Sequence, residues 1–242
     1  MRLFPPLLAA ATLLAGCGGA APDRAGREVK LGLSGTPGAV HAGIYLAVQR
    51  GFDSAEGVTL HPEATRDPVR ELTSAQDALV VLDIHDLAVA RQRGKDVVGV
   101  MAIVERPVTA LRPARYRRAT RRTPGAPEYP ELVLATLRST LTDDPATVRG
   151  TVAALQRGYR EAYVDPESAV QAVTGQVRGL KTAAVSAELD RLGPAFLGTL
   201  PTFGALDSAR LRAWAAWEAR TGIVKRPPDA ARAFDGRYVK KG

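Results

Sequence analysis

Residues 27–51 read REVKLGLSGTPGAVHAGIYLAVQRG. The first eight alternate around Val29, Leu31 and Leu33, the period-two pattern of a strand with a buried face. Thr36-Pro37-Gly38 breaks that pattern as a turn. Beyond it the period lengthens. Val40, Ile44, Ala47 and Val48 share one side of a helix, and Gly51 is placed to end it. A strand, a tight turn and a helix in this order open a βαβ unit, so the stretch points to an α/β fold.

The pattern repeats outward. GVTLHPE (57–63) reads as a second strand. DPVRELTSA (67–75) reads as a short helix with Asp67 as its cap and Pro68 at its first position. DALVVLD (77–83) is a buried strand, IHDLAVARQRG (84–94) a helix ending at Gly94, and DVVGVMAIV (96–104) a fourth strand. The order β-α-β-α-β-α-β predicts a largely parallel sheet with helices on both faces. In such sheets ligands bind beyond the carboxyl ends of the strands. Ser34 and Thr36 follow the first strand, Asp83 and His85 the third, and His41 begins the helix above the crevice these loops can share.

Further on, LRPARYRRATRRTPGAPEYP (111–130) has no period and reads as an irregular linker. ELVLATL (131–137) is a fifth strand. Two Asp-Pro openings, at Asp144-Pro145 and Asp165-Pro166, start a long helix and a shorter one. SAELDRLGPAFL (186–197) is helical up to Gly193. The next helix runs from an Asp207 cap to Gly222, with Leu211, Trp214 and Trp217 spaced to pack on one side. The tail from Pro227 is a capping coil or short helix.

The 242 residues are 45% hydrophobic but only 5% aromatic, so alanine, valine and leucine must build the core. The formal charge of +8 invites a nucleic-acid reading, but its placement argues against one. Arg2 and the six arginines 112, 115, 117, 118, 121 and 122 account for seven of those charges, leaving +1 elsewhere. The arginine cluster is either a solvated linker or a site for phosphate or membrane headgroups. One cysteine, Cys17, excludes an internal disulfide, and the three histidines form no metal-ligand spacing. No cofactor is expected, and no catalytic constellation or phosphate loop is present.

MRLFPPLLAAATLLAGC (1–17) has one charge and then an apolar run from Leu3 to Leu14, too short to span a bilayer and suited to a secretory signal. Its end, Leu14-Ala15-Gly16-Cys17, resembles the bacterial lipoprotein box, which implies lipidation of Cys17. Residues 18–27 then form a tether, and the domain is expected on the extracytoplasmic face of the cell membrane.

Several candidate residues have two readings. His41 either donates to a polar solute or packs at a helix start. Asp83 either meets a ligand or caps the helix that follows. His85 either meets a ligand or is solvated. His61 reads as surface, and Trp214 and Trp217 as core.

VKLGLSGTPGAVHAGIYLAVQRGF…EGVTL, DALVVLDIHDLAVARQRG, VVGVMAIVERPVTAL, YPELVLATLRSTL and RAFDGRYV together resemble the SsuA/THI5-like (NMT1) family, the substrate-binding proteins of ABC importers. The resemblance covers residues 28–111 and 128–239, with Thr36, Pro37 and His41 in register. It implies a type-II periplasmic-binding-protein fold and ligand contacts at Ser34, Thr36, His41, Asp83 and His85. It also implies a small solute and a membrane permease as partners, with no nucleic acid.

Two departures stand out. The family's aspartate-tryptophan pair falls on Ser34 and Gly35, which removes an aromatic platform. Between the fourth and fifth strands the family carries most of its second lobe, and here only the arginine-proline stretch remains. The expected organisation is therefore a lipoprotein signal (1–17), a tether (18–27), a first α/β lobe (28–111), a linker (112–127), and a remnant second lobe with C-terminal helices (128–242). A eukaryotic branch of the family makes the thiamine pyrimidine with a histidine and a pyridoxal-phosphate lysine. His85 falls near that histidine, but the lysine position is Val81, so the chain is not expected to be an enzyme. The expected function is solute capture for an ABC importer, the solute being a thiamine-precursor pyrimidine or a similar small nitrogen or sulfur compound. The alternative is a folded, non-transporting lipoprotein that cannot enclose a solute.

Overall fold

In a computed structural model, residues 26–108, 116, 125–197 and 202–240 are described. Cys17 with its leader, the tether up to Ala25 and the six arginines of 112–122 lie outside them.

Five strands form one sheet: β1 (Arg27–Ser34), β2 (Val58–Thr65), β3 (Leu79–Asp83), β4 (Val97–Val104) and β5 (Leu132–Leu137), in the order β2-β1-β3-β5-β4. β2, β1 and β3 pair in parallel. β5 enters between β3 and β4 and runs antiparallel to both, so the sheet is parallel except for this strand. It brings the chain back into the sheet of the first four strands. Only residues 105–131 separate β4 from β5.

Alternation along the strands divides the core in two. Val29, Leu31, Leu33, Leu79, Val81, Leu132 and Leu134 point into one layer, and Val80, Leu82, Val133 and Ala135 into the other. The first layer is covered by α1 (Ala42–Gln49), α2 (Phe52–Ala55), and the later helices α5 (Arg138–Asp143), α6 (Pro145–Val164), α7 (Pro166–Gln176) and α8 (Thr182–Leu197). The second is covered by α3 (Pro68–Thr73), α4 (Ile84–Gln92), α9 (Ser208–Arg220) and α10 (Ala230–Ala233). Trp214 and Trp217 are fully buried there, as their spacing predicts.

The caps follow the sequence closely. Asp67, Asp144, Asp165 and Asp207 each accept a hydrogen bond from a backbone amide of the first turn they precede. Gly51 has φ +65°, the left-handed conformation that stops the α1 turn. The end of α8 differs from expectation, because the helix continues through Gly193-Pro194 to Leu197. Leu192 and Phe196 are buried in this last stretch, and the Ala195 carbonyl accepts from Glu105 N at 2.8 Å. Burial and that bond outweigh the cost of an internal proline. Among the described residues no helix is long and apolar enough to cross a membrane.

Candidate functional site

β1, β2, β3 and β4 end at one edge of the sheet, and β5 begins there. A short 3-10 turn (Ala39–His41) starts α1 at this edge. α6 ends at it, because the Tyr159 hydroxyl donates to the Val40 carbonyl at 2.8 Å. α8 ends at it too, through the bond from Glu105 N. The approach of α1 and α6 is as close as backbones allow. A Cβ on Gly158 would lie 2.2 Å from the Gly43 carbonyl oxygen, and one on Gly43 would lie 2.5 Å from Tyr159 Cδ1.

These helix ends enclose an open cleft of about 550 Å³, lined by Ala39, Gly43, Arg106, Tyr159, Tyr163, Leu189, Asp190 and Phe196 among others. Its wall is aromatic: the Tyr159 and Phe196 ring centroids are 5.7 Å apart, and Phe203 stacks behind Tyr159 at 4.9 Å. Arg106 follows β4, and its Nε is buried with no hydrogen-bond partner among the described residues. A guanidinium donor left in this state is suited to an acceptor on a ligand. Asp190 supplies an exposed carboxylate on the opposite helix.

The five residues named from the sequence lie at or next to this edge but do not converge. Ser34 is half-buried at the end of β1, paired in register with Thr65, and Thr36 is exposed in the turn. His41 is buried at the N-cap of α1. Its Nδ1 accepts from Gly38 N at 3.3 Å, which leaves the proton on Nε2, an atom without a partner among the described residues. Burial lowers the ring's pKa to about 4, so the imidazole is neutral.

Asp83 is buried and caps α4, accepting from His85 N at 2.8 Å. Burial first, and then the neighbouring Glu131, Asp86 and Glu218 carboxylates, push its pKa well up. His85 is turned to the other side of the sheet. Its ring lies 5.6 Å from Tyr129 and 6.0 Å from Trp217, both in the second core layer, and Nδ1 pairs with the buried Glu218 of α9. The loops after β1 and β3 therefore share an edge, but His85 does not face the cleft. The reason is strand alternation: with Leu82 in the second layer and Asp83 spent as a cap, the first turn of α4 packs its side chains towards α9.

The cleft residues Arg106, Tyr159, Tyr163, Asp190 and Phe196 were not singled out in the sequence. Arg106 alone carried a signal, as a charged residue two positions beyond a buried strand. The others are brought together by helices distant in sequence. Among the described residues no three His, Cys, Asp or Glu side chains gather to hold a metal ion.

A comparison with protein families matches the family described as NMT1/THI5 like over residues 38–117 and 114–169, together more than half of the chain. No curated protein matches the chain. Among solved structures, the Candida albicans CA3427 gene product, described as having the generic periplasmic binding protein fold, aligns with a TM-score of 0.67 at 9% identity, over 88% of this chain and 97% of that one. The zinc-bound ligand-binding component of an ABC-type import system from Staphylococcus aureus aligns at 0.64 with 10% identity, over 89% and 100%. The periplasmic aliphatic sulphonate-binding protein SsuA of Escherichia coli aligns at 0.60 with 11% identity, over 89% and 94%. At these identities the likeness is one of fold, and that fold is the periplasmic-binding-protein fold. With the family match over residues 38–169, it follows that this single-sheet chain belongs to the NMT1/THI5-like family.

Proposed function

We propose that the protein is the solute-binding component of an ABC importer, held by a lipid on Cys17 outside the cytoplasm, and that it takes its solute into the cleft at the carboxyl edge of the sheet. The observation that carries this reading is the cleft itself: about 550 Å³ of open space, aromatic on one wall, with the buried Nε of Arg106 unpartnered among the described residues. Its volume suits a small molecule. A thiamine-precursor pyrimidine or a similar small nitrogen or sulfur compound fits the chemistry. A planar ring can lie against Tyr159 and Phe196, gaining roughly 0.5–1.5 kcal/mol beyond area burial. A phosphate, sulfonate or other acceptor can meet Arg106, and an amino group can meet Asp190. The aromatic platform absent at Gly35 is thus supplied from α6 and α8.

No turnover belongs to this reading. Val81 is buried in the sheet between Leu33 and Leu134, where the pyrimidine-making relatives carry an amine.

The test is calorimetric titration of the full chain with thiamine pyrimidines, alkanesulfonates and nitrate. Saturable binding of one class is expected, weakened at least about tenfold in Arg106→Ala, because a lost charge-assisted hydrogen bond costs roughly 1.5–3 kcal/mol. Binding that Arg106→Ala leaves intact would move the solute out of this cleft. A folded chain that binds none of them would overturn the receptor reading.

A further inference from the structure

On the second face of the sheet, α3 and α4 leave a groove of about 620 Å³ between them. Four cations line it. Arg66 and Arg70 stand on the α3 side, Arg93 and Lys95 on the α4 side, and all four are exposed. Among the described residues none of them forms an ion pair.

Some neighbouring cations are tied down. Arg91, two residues before Arg93, pairs with Asp96 at 2.9 Å and donates to the Val97 carbonyl. Arg138 pairs with the same aspartate, and Arg210 with Glu128. The groove does contain two carboxylates, but both are engaged. Asp67 caps α3, and Asp86 accepts the Tyr116 hydroxyl at 2.5 Å.

Arg93 and Lys95, at the end of α4, have a local reason to be there in the helix dipole. Arg66 does not, since it stands just before the Asp67 cap of α3, at a helix start where positive charge is disfavoured, while Arg70 lies in the last turn of that short helix. The loop carrying Arg66 is pinned, with Thr65 Oγ1 accepting from Asp67 N at 3.1 Å. Two arginines therefore face two more cations across a concave surface, Arg66 against the local field. Like charges so arranged repel, and the two lining carboxylates offset only part of the four positive charges.

We propose that this groove binds a phosphate-bearing ligand, with Arg66 and Arg70 on one side of the phosphate and Arg93 and Lys95 on the other. It is separate from the cleft, since its lining belongs to α3 and α4 and the cleft's to α1, α6 and α8. The phosphate can come from solution or from a lipid headgroup, and the two sources are distinguished by experiment.

In the first arm, pyrophosphate is titrated into the full chain in neutral detergent micelles at low salt. In the second, the full chain is placed in bilayer discs of phosphatidylcholine, with or without phosphatidylglycerol, and hydrogen exchange is followed in α3 and at residues 93–95. Each arm is repeated with the R66A/R70A/R93A/K95A variant. These positions are exposed, so its melting temperature is expected to match the parent's and serves as the control for folding.

Pyrophosphate binding that the variant weakens at least about tenfold supports a soluble phosphate ligand. Protection of α3 only in phosphatidylglycerol discs, lost in the variant, supports a headgroup. Binding in neither arm, or binding that the variant does not change, overturns the proposal.

Discussion

Glu105 sits directly after β4 with 2% of its surface exposed, and burial raises its carboxyl pKa to about 8 against the pull of Arg210 and of the Gly204 amide, which donates to it at 3.1 Å. The folded chain holds a proton here that the unfolded chain releases near 4.5. Stability from this group is complete below that range and is lost as pH rises through 8. His41 works in the opposite sense. Its folded pKa of about 4 lies below the ordinary 6.5, so the unfolded chain takes up a proton first on acidification, and stability falls as pH drops from 6.5 towards 4.

Above pH 6.5 the His41 contribution is level and the Glu105 contribution declines. Stability, followed through the melting temperature, is therefore expected to fall between pH 6.5 and 8, by on the order of 2 kcal/mol from Glu105 at about 1.36 kcal/mol per unit. Glu105→Gln keeps the acceptor for Gly204 and is expected to flatten much of that decline. A melting series across this range in both proteins checks it, and equal slopes would remove Glu105 from the account. At this scale the sequence was informative where a residue acts on its own neighbours. His41 was legible as a helix start and Asp83 as a cap. The contacts of Glu105 with Gly204 and Ala195 come from chain distant in sequence, which no local pattern connects to it.

At the scale of elements, the contact between α1 and α6 does most to shape the cleft. Gly43 and Gly158 allow the two backbones to touch, and Tyr159 then reaches Val40 and forms the aromatic wall. Gly158→Ala places a methyl against the Gly43 carbonyl, which is backbone and cannot rotate away. The helices must separate, at an expected cost of about 1–3 kcal/mol, the range for overpacking a filled core. The same shift displaces Tyr159, so solute affinity is expected to fall with stability. Gly175→Ala is the control, because that position is open and helical, and the substitution is expected to be neutral or slightly stabilising. Urea unfolding of both variants measures the difference. Most helix starts were legible, since an aspartate before a proline states a cap and a first turn together. The end of α8 was not. Gly193-Pro194 reads as a stop, and only the tertiary burial of Phe196 and the bond from Glu105 N carry the helix past it.

For the whole molecule, the decisive feature is the place of β5. Four strands and their helices could be read from sequence as one unit and the remainder as another, because a long irregular segment separates them. Strand order is not written in local pattern, and here it joins the two. β5 lies between β3 and β4, and these two do not pair with each other. Without β5 the first four strands break into a three-stranded piece and a lone β4, each with unpaired edges. The C-terminal chain covers both faces as well, α6 to α8 on one and α9 with α10 on the other. Phe234 even bridges to Gly99 at the outer edge of β4. The part before residue 105 and the part after 131 are therefore one folding unit, and the chain is expected to unfold in a single cooperative transition. Tryptophan fluorescence reports only on α9, through Trp214 and Trp217, while far-ultraviolet circular dichroism reports on helices of both layers. The two signals are expected to change with one midpoint in urea. Separate midpoints would mean that the layer over the cleft and the layer beneath α9 melt independently, and that a single sheet does not unite them.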